Sequence, residues 1–337
     1  IYLIAFQSLG VSRFLQGFLS RHLNGSIAVL PAYLFLFLLG SYLFCLPLHY
    51  YGSFIMEHQF GLSRQSFKDW CRDELKSGAL SYIFTLIVVS AFIAVVRYYP
   101  GGWWIILAVF WILFHLVVAR IVPVLIIPLF FKYSRLTDEV LRNRIFTLAQ
   151  KMNIPHLDCY RIDFSKKSLK GNAALVGWGK ARRVLLADTL QNTYSTDEVE
   201  VIIAHEFAHY QSKHLLKLIV INSFICLSLF YLIDLTSVSV VAFFGLASIG
   251  EVSALPVVFL YFVLFAVVTQ PLGNWVSRRF EREADCRALQ ATGLRQAFIS
   301  TMEKLASQNL ADRDPHPFIK FFFFDHPPLS ERILLAQ

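Results

Sequence analysis

Five apolar runs constrain this chain more than any other feature of its sequence. They cover residues 27–50, 79–97, 103–130, 215–234 and 252–271, and each is close to or above the roughly 20 residues that cross a bilayer as a helix. Inside lipid a backbone must satisfy its own hydrogen bonds, which favours helices. The chain is 56% hydrophobic and 16% charged, whereas soluble domains carry about 25% charged residues. The sequence therefore predicts a mainly α, multi-pass membrane protein.

Lys and Arg residues are distributed unevenly among the stretches between these runs. Residues 51–78 hold four, residues 131–214 hold thirteen and residues 271–337 hold nine. Residues 98–102 and 235–251, which fall on the opposite side if the five runs alternate, hold none. Basic residues accumulate on the cytoplasmic side of membrane proteins. We therefore expect the three basic stretches to be cytoplasmic.

The formal net charge of +8 is explained by this topology, so no nucleic-acid partner is expected. Membrane lipids are the expected partners of the apolar runs, and no obligate protein partner is evident. The chain is predicted to be an integral membrane protein. Its expected membrane is that of the endoplasmic reticulum or the inner nuclear membrane in a eukaryote, or the inner or plasma membrane in a bacterium. The five cysteines show no paired spacing, which argues against a disulfide framework and against a cysteine zinc site.

Four regions follow from the order of the runs. Residues 1–130 form an N-terminal membrane region in which residues 51–78 are a cytoplasmic loop. Residues 131–214 are predicted to be the first half of a polar domain, residues 215–271 supply two further spans, and residues 272–337 are the second half of that domain.

The sequence HEFAH at residues 205–209 carries the clearest chemical signal. It follows Ser195, a plausible N-cap with Glu198 three residues later, which is a capping-box pattern. Residues four apart are neighbours on a helix, so His205 and His209 can share one metal, and imidazole pairs suit zinc. Zinc lowers the pKa of a bound water to about 7. Glu206 would lie beside this water and act as its general base. The alternative is a pair of buried histidines satisfied by other groups.

A catalytic zinc site usually has a third protein ligand and an open position. Glu281 and Asp285 are four residues apart and share a helical face, so one can bind zinc while the other holds a ligand histidine. Spacing does not decide between them, and a charged solvated helix remains the alternative. His214 lies nine residues after His205, about 180° around a continuous helix, so we expect it to face away from the metal in a second-shell or surface role.

Several segments resemble the type I CAAX prenyl endopeptidase family, which are integral-membrane zinc metallopeptidases. The similar stretches are spread over most of the chain: MEHQFGLSRQSFKDWCRDELK at 56–76, IIPLFFKYSRLTDEVL at 126–141, KSLKGNAALVGWGKARRVLLADTL at 167–190, SRRFEREAD at 277–285 and DHPPLSERI at 325–333. The resemblance implies helices around an intramembrane chamber and a cytoplasmic-side zinc metallopeptidase domain with a small β-hairpin or sheet. The family has seven spans, so we expect six or seven in the full protein.

The resemblance also implies roles for individual residues. Glu281 becomes the third ligand of one Zn²⁺ per chain, beside His205 and His209, and Asp285 becomes the second-shell partner of a ligand histidine. His326 and Arg332 match a histidine and an arginine placed near the substrate and the developing oxyanion.

Substrate contacts are implied for a second segment. Asn172 matches an asparagine near the metal. Ala173 and Leu175 follow it in NAALVG, a segment expected to be an extended strand to which peptide substrates add a strand. The aromatic residues that the family usually has there are absent, so we expect a different side-chain preference at this strand. HEFAH replaces the more usual HELGH of the family with little consequence.

The leading functional hypothesis is a zinc endopeptidase that cuts near the C-terminus of lipid-modified (CAAX-type) or membrane-associated peptides. Its substrate is a peptide or protein, which is prenylated in the CAAX case. A second hypothesis keeps the same chemistry in a quality-control protease that degrades misfolded membrane proteins. A third, from another class, is a transporter or scaffold with a vestigial metal site. Glu206, which a dead site would not need, argues against the third hypothesis.

Overall fold

The computed structural model describes residues 1–23, 26–177, 182–308 and 310–337. The chain divides into two compact units, each built from three segments. The helical unit contains residues 1–56, 67–115 and 220–269, and the mixed unit contains residues 57–66, 116–219 and 270–337.

Helices make up most of the described chain. In order they are α1 (Tyr2–Ser8), α2 (Val11–His22), α3 (Ser26–Tyr50), α4 (Glu57–Gln59), α5 (Phe67–Tyr98), α6 (Trp103–Ile121), α7 (Ile127–Phe130), α8 (Glu139–Lys151), α9 (Asp188–Thr193), α10 (Thr196–Gln211), α11 (His214–Phe243), α12 (Leu255–Thr292), α13 (Arg295–Gln308), α14 (Pro317–Phe323) and α15 (Leu329–Leu334). Short π-helical turns occupy Tyr51–Met56 and Val122–Ile126, and 3-10 turns occupy Phe164–Lys166 and Val252–Ala254.

All five predicted spans lie on long apolar helices. Within the described residues, five helical segments are long and apolar enough to cross a membrane: Ile27–Gln59, Phe67–Tyr98, Trp103–Phe130, His214–Phe243 and Val252–Thr292. Each contains one of the apolar runs, so the prediction of a mainly helical, multi-pass membrane protein is confirmed.

Helix α5 begins at Phe67, although its apolar run begins only at residue 79. Much of the stretch expected as a loop, residues 51–78, is therefore helical. Ion pairs one turn apart, Arg72 with Asp69 and Lys76 with Asp73, suit a helix surface. The hydropathy pattern did not predict this extension, because apolar runs mark where a helix meets lipid and not where it starts.

The core of the helical unit is built from large side chains that are almost fully buried, among them Tyr33, Phe37 and Ile233. Ser12 lies within it at 0% exposure. Its hydroxyl donates to the carbonyl of Ser253 over 2.7 Å and lies 2.6 Å from the Tyr33 hydroxyl. These bonds offset the cost of burying a polar group among apolar side chains.

A small mixed sheet distinguishes the second unit. Its strands are β1 (Tyr133–Arg135), β2 (Asp158–Ile162), β3 (Ala173–Val176) and β4 (Arg183–Ala187). Their order across the sheet is β1-β2-β4-β3, with β2 and β4 parallel and the two outer pairs antiparallel. The predicted small sheet is therefore confirmed, and β3 lies at its edge.

Helix α10 packs one face into the core of the mixed unit, where Ile203, Phe207 and Ala208 are 0% exposed. Its start is capped as the sequence predicts: the Glu198 amide donates to the Ser195 hydroxyl, and the Ser195 amide donates to the Glu198 carboxylate. The same carboxylate also accepts from Lys304 at 2.7 Å and from Ser300 at 2.6 Å. Tertiary contacts therefore reinforce the local cap.

The Ser195→Ala variant should lower the stability of the mixed unit by about 1 kcal/mol, because it removes one bond of the capping box. Thermal unfolding of the purified protein in detergent measures the effect. Thr196→Ala, which removes a hydroxyl from the next residue, is the matched control and should unfold near the wild-type temperature. Equal unfolding temperatures for the two variants would contradict the role of the cap.

Candidate metal centre

Helix α10 brings His205 and His209 to the same point. Their Nε2 atoms lie 3.0 Å apart and their ring centroids 4.7 Å apart. The helix spacing sets this juxtaposition, because residues four apart project from the same face. Both rings are only partly buried, so the side of the pair opposite the core remains open to a ligand.

Glu281 on α12 completes a group of three. One oxygen, Oε2, lies 3.2 Å from His205 Nε2, and the other, Oε1, lies 3.3 Å from His209 Nε2. One ligand atom from each residue falls within 4.8 Å of the others. Glu281 is 7% exposed, and Oε2 has no hydrogen-bond partner among the described residues. Two imidazole nitrogens and a buried carboxylate oxygen without such a partner fit a zinc ion as donors.

Asp285 lies one turn further along α12 and is 0% exposed. His205 Nδ1 lies 2.9 Å from its Oδ1. Arg332 lies in α15. It donates two hydrogen bonds to Asp285, from Nε to Oδ2 and from Nη2 to Oδ1, each over 2.7 Å. Because an ionised carboxylate only accepts, His205 carries a proton on Nδ1, and Nε2 is the nitrogen that can bind a metal next to Glu281.

Charges in this group set its proton affinity. Burial alone lowers the pKa of His205, but the nearby carboxylates of Asp285 and Glu281 outweigh burial and raise that pKa to about 9. The centre therefore attracts positive charge, and a divalent cation must displace a proton to bind.

Glu206 follows the first histidine and faces the same cavity. Burial raises the pKa of its carboxyl, and the neighbouring His205 and His209 lower it in part. The backbone amide of Leu175 in β3 donates to this carboxylate. A carboxyl whose pKa is raised from its usual range is better matched to proton transfer near neutral pH.

The edge strand β3 presents alternate backbone groups away from the sheet. The Ala187 amide donates to the Asn172 carbonyl over 2.9 Å, and the register pairs Ala173 with Leu186 and Leu175 with Val184. Backbone groups alternate in direction along an antiparallel strand, so those of Ala173 and Leu175 face the open edge. The amide of Leu175 that reaches Glu206 agrees with this direction.

A cavity of about 370 Å³ gathers most of the residues that the sequence singled out. Its lining includes both polar and apolar side chains: Asn172, Ala173, His205, Glu206, Glu281, His326 and Arg332, with Leu190, Val201, Ile202, Phe298 and Met302. Leu175 lines a neighbouring cavity of about 500 Å³ together with Glu206 and His209. Asp285 lies behind the histidines, beneath both surfaces.

His326 approaches the centre from the loop before α15. Its Nε2 lies 3.5 Å from Glu281 Oε2, and its Nδ1 lies 2.8 Å from Asp325 Oδ1. The side chain is 55% exposed, unlike the buried residues around it. An exposed imidazole at the rim can contact a molecule in the cavity.

The predicted orientation of His214 is wrong. Helix α10 ends at Gln211, and Lys213 adopts a left-handed conformation with φ 54° before α11 begins at His214. The turn brings His214 back, with its Nδ1 2.9 Å from His209 Nδ1. The side chain is 2% exposed. A rotation of about 180° between His205 and His214 holds only for a continuous helix, and nothing in the local sequence indicates a left-handed lysine.

Comparisons with known proteins cover nearly the whole chain. The family pattern described as peptidase family M48 matches residues 135–336, and the pattern described as CAAX prenyl protease N-terminal, five membrane helices, matches residues 1–132.

Individual relatives agree with these patterns. An uncharacterized metalloprotease, YhfN of Bacillus subtilis, is 29% identical and covers 97% of this chain and 78% of its own length. CAAX prenyl protease 1 of Saccharomyces cerevisiae is 29% identical over 93% of this chain and 73% of its own length. A CAAX prenyl protease 1 homolog of Arabidopsis thaliana is 32% identical over 86% of this chain and 68% of its own length.

The crystal structure of S. mikatae Ste24p superposes with a TM-score of 0.85 at 27% identity, over 94% of this chain and 77% of that chain. The fold and the sequence patterns thus point to the same family. The chain belongs to peptidase family M48, and it is an integral-membrane metalloendopeptidase of the CAAX prenyl protease family.

Proposed function

We propose that this enzyme cleaves peptide bonds near the C-terminus of lipid-modified (CAAX-type) or membrane-associated peptides at a zinc ion held by His205, His209 and Glu281. The observation that carries the proposal is the convergence of two Nε2 atoms and the Glu281 carboxylate in the cavity that Glu206 also lines. Zinc supplies Lewis-acid chemistry, which polarises a carbonyl and makes water easier to deprotonate at neutral pH.

Glu206 is the general base in this proposal. It takes a proton from the attacking water and later returns it to the leaving amine. Its carboxylate accepts the Leu175 amide in the absence of substrate, so this amide is held next to the reacting groups. The burial that raises the pKa of Glu206 strengthens it as an acceptor of the water proton.

The edge of β3 is the proposed binding surface for the substrate backbone. An extended peptide can pair with the outward-facing groups of Ala173 and Leu175, as in strand addition, while Asn172 contacts it next to the metal. Main-chain pairing is independent of side-chain identity, so it fixes where the peptide bond lies. The apolar side chains of the cavity then select among peptides.

His326 and Arg332 have different proposed roles. His326, at the exposed rim, is placed to donate to the carbonyl oxygen as charge develops on it. Two of the guanidinium nitrogens of Arg332 hold Asp285, so its first task is to keep Asp285 charged behind His205. Arg332 also lines the cavity, where its positive charge stabilises a developing oxyanion.

The substrate class is proposed from the relatives. Several of them are named CAAX prenyl protease 1 or its homologs, whose name describes action on prenylated C-terminal motifs. The quality-control hypothesis shares every chemical step and is an outcome of the test below. Membership of a peptidase family sets aside the transporter or scaffold hypothesis.

Cytoplasmic placement of the centre is also a proposal, supported by the Lys and Arg distribution. Ser134→Cys on the exposed face of β1 and Gly101→Cys between α5 and α6, each in a cysteine-free background, should differ in labelling by a membrane-impermeant maleimide. With the protein expressed in the inner membrane of a bacterium, Gly101→Cys should react in intact cells, whereas Ser134→Cys should react only after lysis. Reaction of Ser134→Cys in intact cells would reverse the assigned orientation.

Glu206→Gln should keep zinc bound and lower kcat/KM by at least about 10²-fold, because the amide cannot take a proton. Zinc content by elemental analysis and cleavage of a membrane-associated peptide measure the two effects. Glu303→Gln, at an exposed position on α13, is the matched control and should keep both. Hydrolysis at the wild-type rate in Glu206→Gln would remove Glu206 from the mechanism.

A farnesylated CAAX peptide should be cleaved with a higher kcat/KM than the same peptide without the lipid. Both are compared in identical detergent micelles, with Glu206→Gln as the blank. An unfolded, unmodified membrane segment is the third substrate. Equal rates for the first two, with faster cleavage of the third, would replace the prenyl substrate with the quality-control function.

A further inference from the structure

The second nitrogen of His209 has an unusual neighbour. His205 directs its Nδ1 to a carboxylate, that of Asp285, but His209 directs its Nδ1 to another imidazole. The two Nδ1 atoms of His209 and His214 lie 2.9 Å apart, and the ring planes meet at 74°. One of these nitrogens must therefore donate and the other accept.

His214 is held firmly in place. Its ring stacks on Phe280 at 4.3 Å between centroids and 7° between planes. Its Nε2 lies 3.2 Å from Glu283 Oε2. The left-handed turn at Lys213 positions the ring next to His209, and the side chain is 2% exposed. This environment leaves little freedom for the ring to flip or withdraw.

Glu283 is the outer end of this chain of contacts. Its Oε1 accepts from the Ser212 hydroxyl over 2.8 Å and from Arg287 Nε over 3.1 Å, and Lys217 Nζ lies 3.7 Å from Oε2. Two cations and a hydroxyl stabilise its ionised form. An ionised carboxylate can only accept, so the proton between Glu283 and His214 belongs to His214 Nε2.

The proton positions follow in sequence. Neutral His214 with its proton on Nε2 has a lone pair on Nδ1, so His209 must donate from its own Nδ1. The Nε2 atom of His209 then has its lone pair directed towards His205 Nε2, at 3.0 Å, and Glu281 Oε1, at 3.3 Å.

We propose that His214 and Glu283 are positioning residues that fix His209 as a metal ligand. The relay His209–His214–Glu283 holds the proton of His209 on Nδ1. Asp285, itself held by Arg332, holds a proton of His205 on Nδ1 in the same way. The inference rests on the proposed function, since it assumes that His209 binds the zinc ion. It predicts that metal affinity depends on residues that never contact the metal.

The relay can be tested by zinc affinity. Purified enzyme in detergent is stripped of metal and titrated with Zn²⁺ against a chromophoric chelator. His214→Phe keeps the stacking on Phe280 but loses both nitrogens, and it should weaken Zn²⁺ binding roughly 10- to 100-fold. His214→Asn retains an amide oxygen near the position of Nδ1, and it should bind more tightly than His214→Phe.

Three further variants complete the experiment. Asp285→Asn, the equivalent change behind His205, is the positive control and should also weaken binding. His22→Phe, at an exposed histidine on α2, should bind as the wild type does. Glu283→Gln can donate as well as accept, so it no longer dictates the His214 proton and should cause a smaller loss. It also tests the relay if His214→Phe fails to fold.

Each outcome has one meaning. A wild-type enzyme that binds no Zn²⁺ would overturn the proposed function. If the wild type binds Zn²⁺ and His214→Phe binds it with the same affinity, the relay alone is overturned. If His214→Phe does not fold, the same conclusion follows from an unchanged affinity in Glu283→Gln. Equal losses in His214→Phe and His214→Asn, accompanied by equal falls in unfolding temperature, would assign His214 a purely structural role and also overturn it. A selective loss in His214→Phe at an unchanged unfolding temperature supports the relay.

Discussion

The buried carboxylate of Asp285 is the constraint on which the centre depends. A charge at 0% exposure costs several kcal/mol unless partners satisfy it. Its partners are His205, 80 residues earlier in the chain, and Arg332, 47 residues later. The carboxylate therefore ties α10, α12 and α15 together. Removal of either partner would leave this buried charge only partly compensated, so the three segments stabilise one another at this point.

The metal ligands follow from this arrangement. Glu281 lies one helical turn before Asp285 on α12, and residues four apart share a face. When Asp285 binds His205 Nδ1, Glu281 is placed near His205 Nε2 on the other side of the same ring. His209 lies on the same face of α10, so it meets Glu281 as well. The ligands therefore come from two pairs of residues four apart, His205 with His209 on α10 and Glu281 with Asp285 on α12. The two pairs meet at the His205 ring.

Local periodicity explains which features the sequence could predict. The apolar runs identified the five long apolar helices found among the described residues, because a bilayer imposes a length and a composition. The capped start of α10 and the pairing of His205 with His209 depend only on helix geometry. The side-by-side placement of Glu281 and Asp285 has the same origin. Their assignment as ligand and partner needed the resemblance, because spacing treats the two carboxylates alike.

Features that depend on backbone breaks or long-range contacts could not be predicted. His214 was placed on the wrong side because Lys213 leaves the helical conformation, and lysine gives no sign of a left-handed residue. Helix α5 starts at Phe67, and its first turns contain many polar side chains. A hydropathy pattern predicts such a polar stretch as a loop. The bond between Leu175 and Glu206 joins an edge strand to α10, and no pattern within either segment encodes it.

Helix α12 explains why a metallopeptidase centre and a membrane span occur in one continuous element. It extends from Leu255 to Thr292, so the apolar run and the residues Glu281 and Asp285 share one helical register. Each residue of register corresponds to about 100° of rotation. Glu281 and Asp285 are four residues apart in this register, so both carboxylates lie on the helix face that meets His205.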